Sequence, residues 1–415
     1  MTRILLVNRF APPDPSPTAR LLGDLAAHLA AAGHPVTVLA GRLRYDDPKA
    51  RPAATEIRRG VRIRRLPTTR FGRRRLLGRA ADYASFYAAA FVAMLTELRP
   101  SDVLVVKTDP PLLCLSAALA ARLRAARLVT WNQDLFPEAA EALGLRWAGG
   151  PIGRALRRLR NRALCRAESN VVLSPAMARH LEAEGIPRER LAVIPNWPDE
   201  AVRPLPATAN PLRRRLGFGE DRVIGYSGNL GRAHLADAVT RLVLDTAELP
   251  GLRWLFTGGG AGMEPLRREV ERRRLANVTF LPYQPRERLA ESLSVPDLHL
   301  VSQDPACEGL LLPSKLYGVM AAGRPVLFLG AKEGEIARYI RRWGIGCCLD
   351  VARPESWRAE LQRILRDRGE LARMGERAHR ICAHRFAPEH ALARWEELLA
   401  GRPAAARTTE AELVA

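Results

Sequence analysis

Short apolar runs alternate with stretches in which leucine and alanine recur at helical spacing along most of the chain. RILLVN (residues 3–8), HPVTVLAG (34–41), SDVLVVKTD (101–109), ARLVTWN (126–132) and SNVVLS (169–174) each predict a strand covered on both faces. Helical sequence separates them, beginning with residues 18–32. That alternation predicts a doubly wound parallel sheet. Near Ile194 the rhythm stops: IPNWPDEAVRPLPATANP (194–211) is rich in proline, has no period and reads as a linker. It then restarts, with DRVIGYSG (221–228), RWLFTGG (253–259), NVTFLPY (277–283), DLHLVS (297–302) and RPVLFLG (324–330) as strands. The pattern predicts two α/β halves. The expected division is a first domain over 1–195, a linker over 196–212, a second domain over 213–386, a closing helix over 387–400 and a frayed tail over 401–415.

Composition agrees with a globular, two-domain protein. At 415 residues, of which 47% are apolar, the chain exceeds the size at which one core usually splits. Residues 1–8 read as a first strand and not as a targeting segment, and the uncharged stretch 83–96 is too short to span a bilayer. Six cysteines (Cys114, Cys165, Cys307, Cys347, Cys348 and Cys382) form no CxxC pair and no Cys/His cluster, so a zinc site and a disulfide framework are not expected, and a reducing cytoplasm fits.

The formal net charge of +21 calls for an anionic partner: a nucleotide, a nucleic acid or a phospholipid surface. Residues 58–79 hold ten arginines and no acid and run into the aromatic and apolar YASFYAAAFVAML. A second cluster is GRALRRLRNRALCR (153–166). With 6% aromatic residues and no recognised motif, nucleic-acid binding is the weaker explanation.

In doubly wound sheets ligands sit beyond the carboxyl ends of the strands, and three such loops are distinctive. GNLGRAH (228–234) has Gly228 and Gly231, which permit close backbone approach, and Arg232, which can reach an anion; an ordinary turn with one surface arginine is the plainer reading. FTGGGAGMEPL (256–266) is a weak dinucleotide fingerprint, better read as a tight turn whose glycines can admit a nucleotide. EGLLLPSKLYGVMAAGRPVLFLG (308–330) is the strongest. Pro313 and Ser314 suit a helix start, and Lys315 there makes a cradle for phosphate; the plainer reading is a cap beside a solvated lysine.

These segments, with FAPPDPSPTARLLGDLAAHLAAAGHPVTVLAG, KTDPPLL, WNQDLFPEAAEALG, VIPNWPD and FLPYQPRERL in the same order, resemble the GT-B retaining glycosyltransferases of family 4, in the branch of the WbuB and WcaI type enzymes of surface-polysaccharide synthesis. The resemblance runs nearly the whole length. It implies two Rossmann-like domains facing across a cleft, with the closing helix crossing back to the first domain. It also implies transfer of a sugar from a nucleotide-sugar donor, a UDP-sugar in first place, to a polyprenyl-diphosphate-linked or polysaccharide acceptor, with no metal and no cofactor.

Residue by residue, the resemblance places Gly228, Asn229, Gly231, Arg232, His234 and Gly259 about the donor, Ser314 and Lys315 on its diphosphate, Tyr283 and Gln284 beside its base, and Glu308 near the ribose or sugar. The acceptor side falls to Ser16 and Thr18 in the 13–18 loop, to Asp109, and to Gln133, Asp134 and Glu138; Asp109 and Asp134 could equally cap helices or make surface pairs. Lys315, Arg232, Glu308, Asp109 and Asp134 are the catalytic candidates. The family's lysine after the glycine turn aligns with His234 and its arginine with Asn229, so phosphate charge is left to Arg232 and Lys315. Its second glutamate falls at Gly318, and its first-domain histidine is Gln133, which can hydrogen-bond but not carry a proton. A lipid-linked acceptor would dock the first domain on an anionic membrane through residues 58–79, on the inner face of the cell membrane. A sugar-nucleotide epimerase or hydrolase of the same architecture is the rival reading.

Overall fold

The computed structural model describes residues 1–44, 50, 52–69, 71 and 76–401. It divides into two compact units, one formed by Met1–Pro195 with Gly309–Leu312 and the chain from Ala391, the other by Asn196–Glu308 with Pro313–His390. Both are doubly wound, as the alternation predicts.

The first unit contains β1 (Ile4–Val7), β2 (Val36–Gly41), β3 (Thr55–Arg58), β4 (Val61–Leu66), β5 (Val103–Lys107), β6 (Arg127–Trp131), β7 (Ser169–Val172) and β8 (Leu191–Val193). They form one sheet in the order β3-β4-β2-β1-β5-β6-β7-β8, parallel except for β3. The order reverses between β1 and β5, which fixes where a ligand site belongs. Helix Leu76–Glu97 covers one face through Phe86, Ala90, Ala93 and Met94, joined by Leu113, Ala117 and Ala120 of helix Leu113–Leu123.

One face of the aromatic segment after the arginine run is therefore core. The run itself contains a hairpin that the apolar pattern conceals. In VRIRRL, Val61, Ile63 and Leu66 face the core while Arg62 and Arg64 both bond Glu97, and the buried Arg65 pairs with Glu56 at 2.6 Å. These three arginines pair with acids of the same unit, while Arg58 and Arg59 are exposed. Arg70 and residues 73–75 lie outside the described residues.

The closing helix, Pro388–Leu399, packs within the first unit from Ala391 on. Trp395 meets Trp131 with ring centroids 4.7 Å apart, His28 Nε2 lies 2.9 Å from Glu396, and Arg394 donates to the Val193 carbonyl at 2.6 Å.

The second unit contains β9 (Arg222–Asn229), β10 (Leu252–Gly259), β11 (Val278–Leu281), β12 (Leu298–Ser302), β13 (Val326–Gly330) and β14 (Gly346–Asp350), all parallel, in the order β11-β10-β9-β12-β13-β14. Its reversal lies between β9 and β12. Trp254, Phe256, Leu266 and Trp357 are among its core residues. The proline-rich stretch 196–212 is anchored here: Asp199 pairs with Arg286 at 2.7 Å, Leu205 N donates to Ser294 Oγ, and Asn210 donates to the Glu291 carbonyl.

Candidate active site

In the second unit the site residues gather at the carboxyl ends of the strands flanking the reversal. Strands β9 and β10 stay in register to their last residues, with Gly228 opposite Gly258 and Asn229 opposite Gly259. A Cβ on Gly258 (φ +127) would lie 2.3 Å from the Gly228 carbonyl oxygen, so only glycine lets the two strand ends close up. Gly228 itself (φ +115) faces open space. The result is a strand-end floor without side chains, where a ligand can touch backbone.

Lys315 is tied to the same strand through Tyr226. Its Nζ lies 3.9 Å above the Tyr226 ring and donates to the Tyr226 hydroxyl, which in turn donates to the Asn229 carbonyl at 2.9 Å. Among the described residues Lys315 has no carboxylate partner. Burial without a counter-charge pushes its pKa down to about 7. His234 lies close enough to feel that charge, and burial followed by Lys315 pushes its pKa down to about 4. Arg232 belongs to the same short turn, Arg232–His234; it is exposed, and its guanidinium has no partner among the described residues. Tyr283 is 56% exposed, with its ring against Gly259. Gln284 folds back, donating to the Pro282 carbonyl at 2.9 Å.

The segment around Lys315 differs from the expected start of a long helix. Helix Lys315–Ala321 has seven residues, and Ser314 before it is in the αR region, so its exposed side chain caps no backbone N–H. Glu308 Oε1 accepts from the backbone N–H of Glu335 at 2.8 Å, at the start of helix Glu335–Trp343. Its carboxylate thus faces a helix N-terminus, where negative charge is favoured. The GLLL run after it belongs to the first unit: Leu310 accepts from Leu135 N at 2.8 Å, and Leu311 forms a bridge with Asp134.

In the first unit a charged group forms beyond β5 and β6. Ser16 caps helix Pro17–Ala31, accepting from Ala19 N at 3.3 Å, and the Thr18 carbonyl accepts from Lys107 Nζ at 3.2 Å. Lys107 is buried with Nζ 3.7 Å from the centre of the Trp131 ring. Burial and then Arg20 hold its pKa well below the lysine range, against the pull of Asp109, Asp134 and Asp24. Asp134 is exposed at the mouth of this group, yet desolvation by its surroundings and then Asp109 push its carboxyl up to about 6 while Lys107 pulls it down. Thr108 Oγ1 accepts from Gln133 N at 3.0 Å and from Asp134 N at 3.4 Å. The structure therefore brings Asp109, Asp134 and the Thr18 turn together around Lys107, which the sequence reading had not singled out; its signal was a lysine closing an otherwise apolar buried strand.

Glu138 does not join them. It is buried against Arg160, which bonds both its oxygens at 2.6 and 3.0 Å. Burial alone would raise its pKa, but the His180 hydrogen bond and the Arg160 charge bring it down to about 2. Glu138, His180 and Glu184 offer ligand atoms within 4.8 Å of one another, yet Arg160 and Arg157 already place cations on these carboxylates.

Two doubly wound domains with their candidate groups at the sheet reversals have the architecture of the GT-B class of glycosyltransferases. The chain belongs to family 4 of these enzymes: residues 18–197 match the model for the glycosyl transferase 4-like domain, and residues 210–381 match that for glycosyl transferases group 1. It is 25% identical over 382 residues to the putative colanic acid biosynthesis glycosyl transferase WcaI of Escherichia coli (strain K12), covering 88% of this chain and 92% of that one. Among solved structures, sucrose-phosphate synthase from Thermosynechococcus elongatus superposes with a TM-score of 0.74 at 17% identity, covering 98% of this chain and 100% of that one. Anabaena HepE, solved in complex with UDP and glucose, superposes at 0.72 and 16% identity, covering 97% and 100%. The activity is glycosyl transfer, and epimerisation is not favoured.

Proposed function

We propose that the donor is a nucleoside diphosphate sugar, a UDP-sugar in first place, held in the second unit. The observation that carries this reading is Lys315, a lysine with no carboxylate partner among the described residues, held by Tyr226 whose hydroxyl reaches the Asn229 carbonyl at the glycine-lined end of β9. Cleavage of a sugar-diphosphate bond leaves negative charge on the departing group. Lys315 and Arg232 meet that charge, and a well-placed donor in such a site is worth about 3 to 4 kcal/mol. No metal or cofactor is called for in this scheme. The exposed ring of Tyr283 beside Gly259 suits a base. HepE, a structural relative, was solved with UDP and glucose, which supports the choice of nucleotide.

The acceptor side is assigned to Asp109 and Asp134, which orient the attacking hydroxyl, with the leaving phosphate oxygen taking its proton and the configuration retained. The likeness to WcaI, named for colanic acid biosynthesis, supports a lipid-linked or surface-polysaccharide acceptor. The protein then works at the inner membrane face. Among the described residues no helix is long and apolar enough to cross a membrane, so attachment is peripheral in this reading. Its support is the outer face of helix Pro151–Arg166, where Ile152 (65% exposed) and Leu159 (45% exposed) stand among exposed Arg154, Arg158, Arg162 and Arg166.

A thermal-shift panel of UDP, GDP, ADP and their glucosyl derivatives tests the donor assignment. UDP should raise the melting temperature of the wild type and not that of Lys315→Met. No response to any nucleotide, or an undiminished response in the variant, overturns it.

A further inference from the structure

His234 takes the place that the family resemblance gives to a lysine, yet its ring is fixed to do the opposite of what a lysine does. Its Nδ1 lies 2.9 Å from the carbonyl oxygen of Ser302, the last residue of β12. A carbonyl only accepts, so Nδ1 carries the proton and donates. Ser302 Oγ donates in return to the His234 carbonyl at 2.7 Å, so ring and backbone are both clamped to the buried end of the strand. With its pKa near 4 the ring is neutral at neutral pH, and Nε2 is then left with a lone pair. Among the described residues nothing donates to Nε2, and it is not one of the atoms sealed from solvent.

We propose that His234 Nε2 is a specificity-determining acceptor of the donor site, taking an O–H from the nucleotide sugar while Lys315 takes a phosphoryl oxygen. The proposal rests on the donor reading above and deepens it. A lone pair facing phosphate oxygens would be repelled, so the group it reads must be a donor. Beside the phosphates of a nucleoside diphosphate sugar the donors are hydroxyls, either of the ribose or of the sugar.

The test is titration calorimetry with UDP, 2′-deoxy-UDP, UDP-glucose and inorganic pyrophosphate on wild type, His234→Asn and His234→Lys. Asparagine sets an amide N–H near the position of Nδ1–H and nothing where Nε2 stood, so it keeps the Ser302 bond and should melt within about 2 °C of wild type. Loss of one neutral hydrogen bond should weaken the hydroxyl-bearing ligand about three- to tenfold and leave pyrophosphate unchanged. A sugar hydroxyl is identified if UDP-glucose alone weakens. A ribose hydroxyl is identified if UDP and UDP-glucose weaken together and 2′-deoxy-UDP does not. His234→Lys should bind pyrophosphate more tightly than wild type. Equal affinities of wild type and His234→Asn for every ligand overturn the proposal. Failure of wild type to bind UDP at all removes the donor reading beneath it, a different result.

Discussion

The ammonium of Lys315 sits 3.9 Å above the ring of Tyr226 and is held by the hydroxyl of the same residue, with no carboxylate to balance it among the described residues. Its pKa near 7 means that the ligand-free site is only half charged at neutral pH. A bound diphosphate favours the charged form, so binding should take up a proton, and UDP affinity should fall by up to tenfold per pH unit above about 7. Calorimetry in buffers of different ionisation enthalpy measures the uptake. Lys315→Arg stays charged throughout and should bind with a flat pH profile. A flat profile in the wild type would count against Lys315 as the diphosphate ligand.

The two facing glycines separate folding from binding. Alanine at Gly258 meets the Gly228 carbonyl at 2.3 Å in addition to its strained backbone, so Gly258→Ala should lower stability by roughly 2 kcal/mol or more. Gly228→Ala carries backbone strain but meets nothing within 4 Å. Its methyl group enters open space that the donor reading gives to the ligand. Expected, then, is a larger loss of melting temperature in Gly258→Ala and, relative to stability, a larger loss of UDP affinity in Gly228→Ala.

What could be read from the chain alone follows from how each strand is covered. Strands buried on both faces, such as β1 (ILLV) and β5 (VLVVK), stand out as apolar runs. Strand β4 does not, because its arginines alternate with core residues and find Glu97 and Glu56, partners distant in sequence. Strands β8 and β14 are short or carry a glycine and two cysteines, and escaped for lack of pattern. Among site residues, the lysine at 315 was legible from its loop. The tautomer of His234 was not, since it is set by Ser302 across the sheet reversal, nor was the commitment of Glu138 to Arg160.

Glu138 should matter for stability in place of chemistry. Its folded pKa, about 2, lies below the ordinary 4.5, so its contribution is fully present above pH 4.5 and is lost as pH falls toward 2. Glu138→Gln leaves Arg160 buried without its counter-charge and should cost on the order of 3 kcal/mol at pH 7. Urea midpoints at pH 7 and pH 3 check this, and the gap between wild type and variant should narrow at the lower pH. An equal gap at both would mean that the pair does not hold the carboxylate as described.

The outer face of helix Pro151–Arg166 gives the membrane reading a defined surface. Ile152 and Leu159 can enter the headgroup region while Arg158 and Arg162 stay at its charged level. Each cation near an anionic leaflet is worth about 1 kcal/mol, so Arg158→Glu with Arg162→Glu should lower binding to phosphatidylserine-containing vesicles by at least tenfold, and by less as salt rises. Ile152→Asp with Leu159→Asp should reduce it without that salt dependence. These side chains are solvent-facing, so none of the variants should melt lower than wild type by more than a few degrees. Flotation of all three proteins with equal efficiency would place the docking surface elsewhere, while flotation of none, wild type included, would remove the membrane from the account and leave glycosyl transfer untouched.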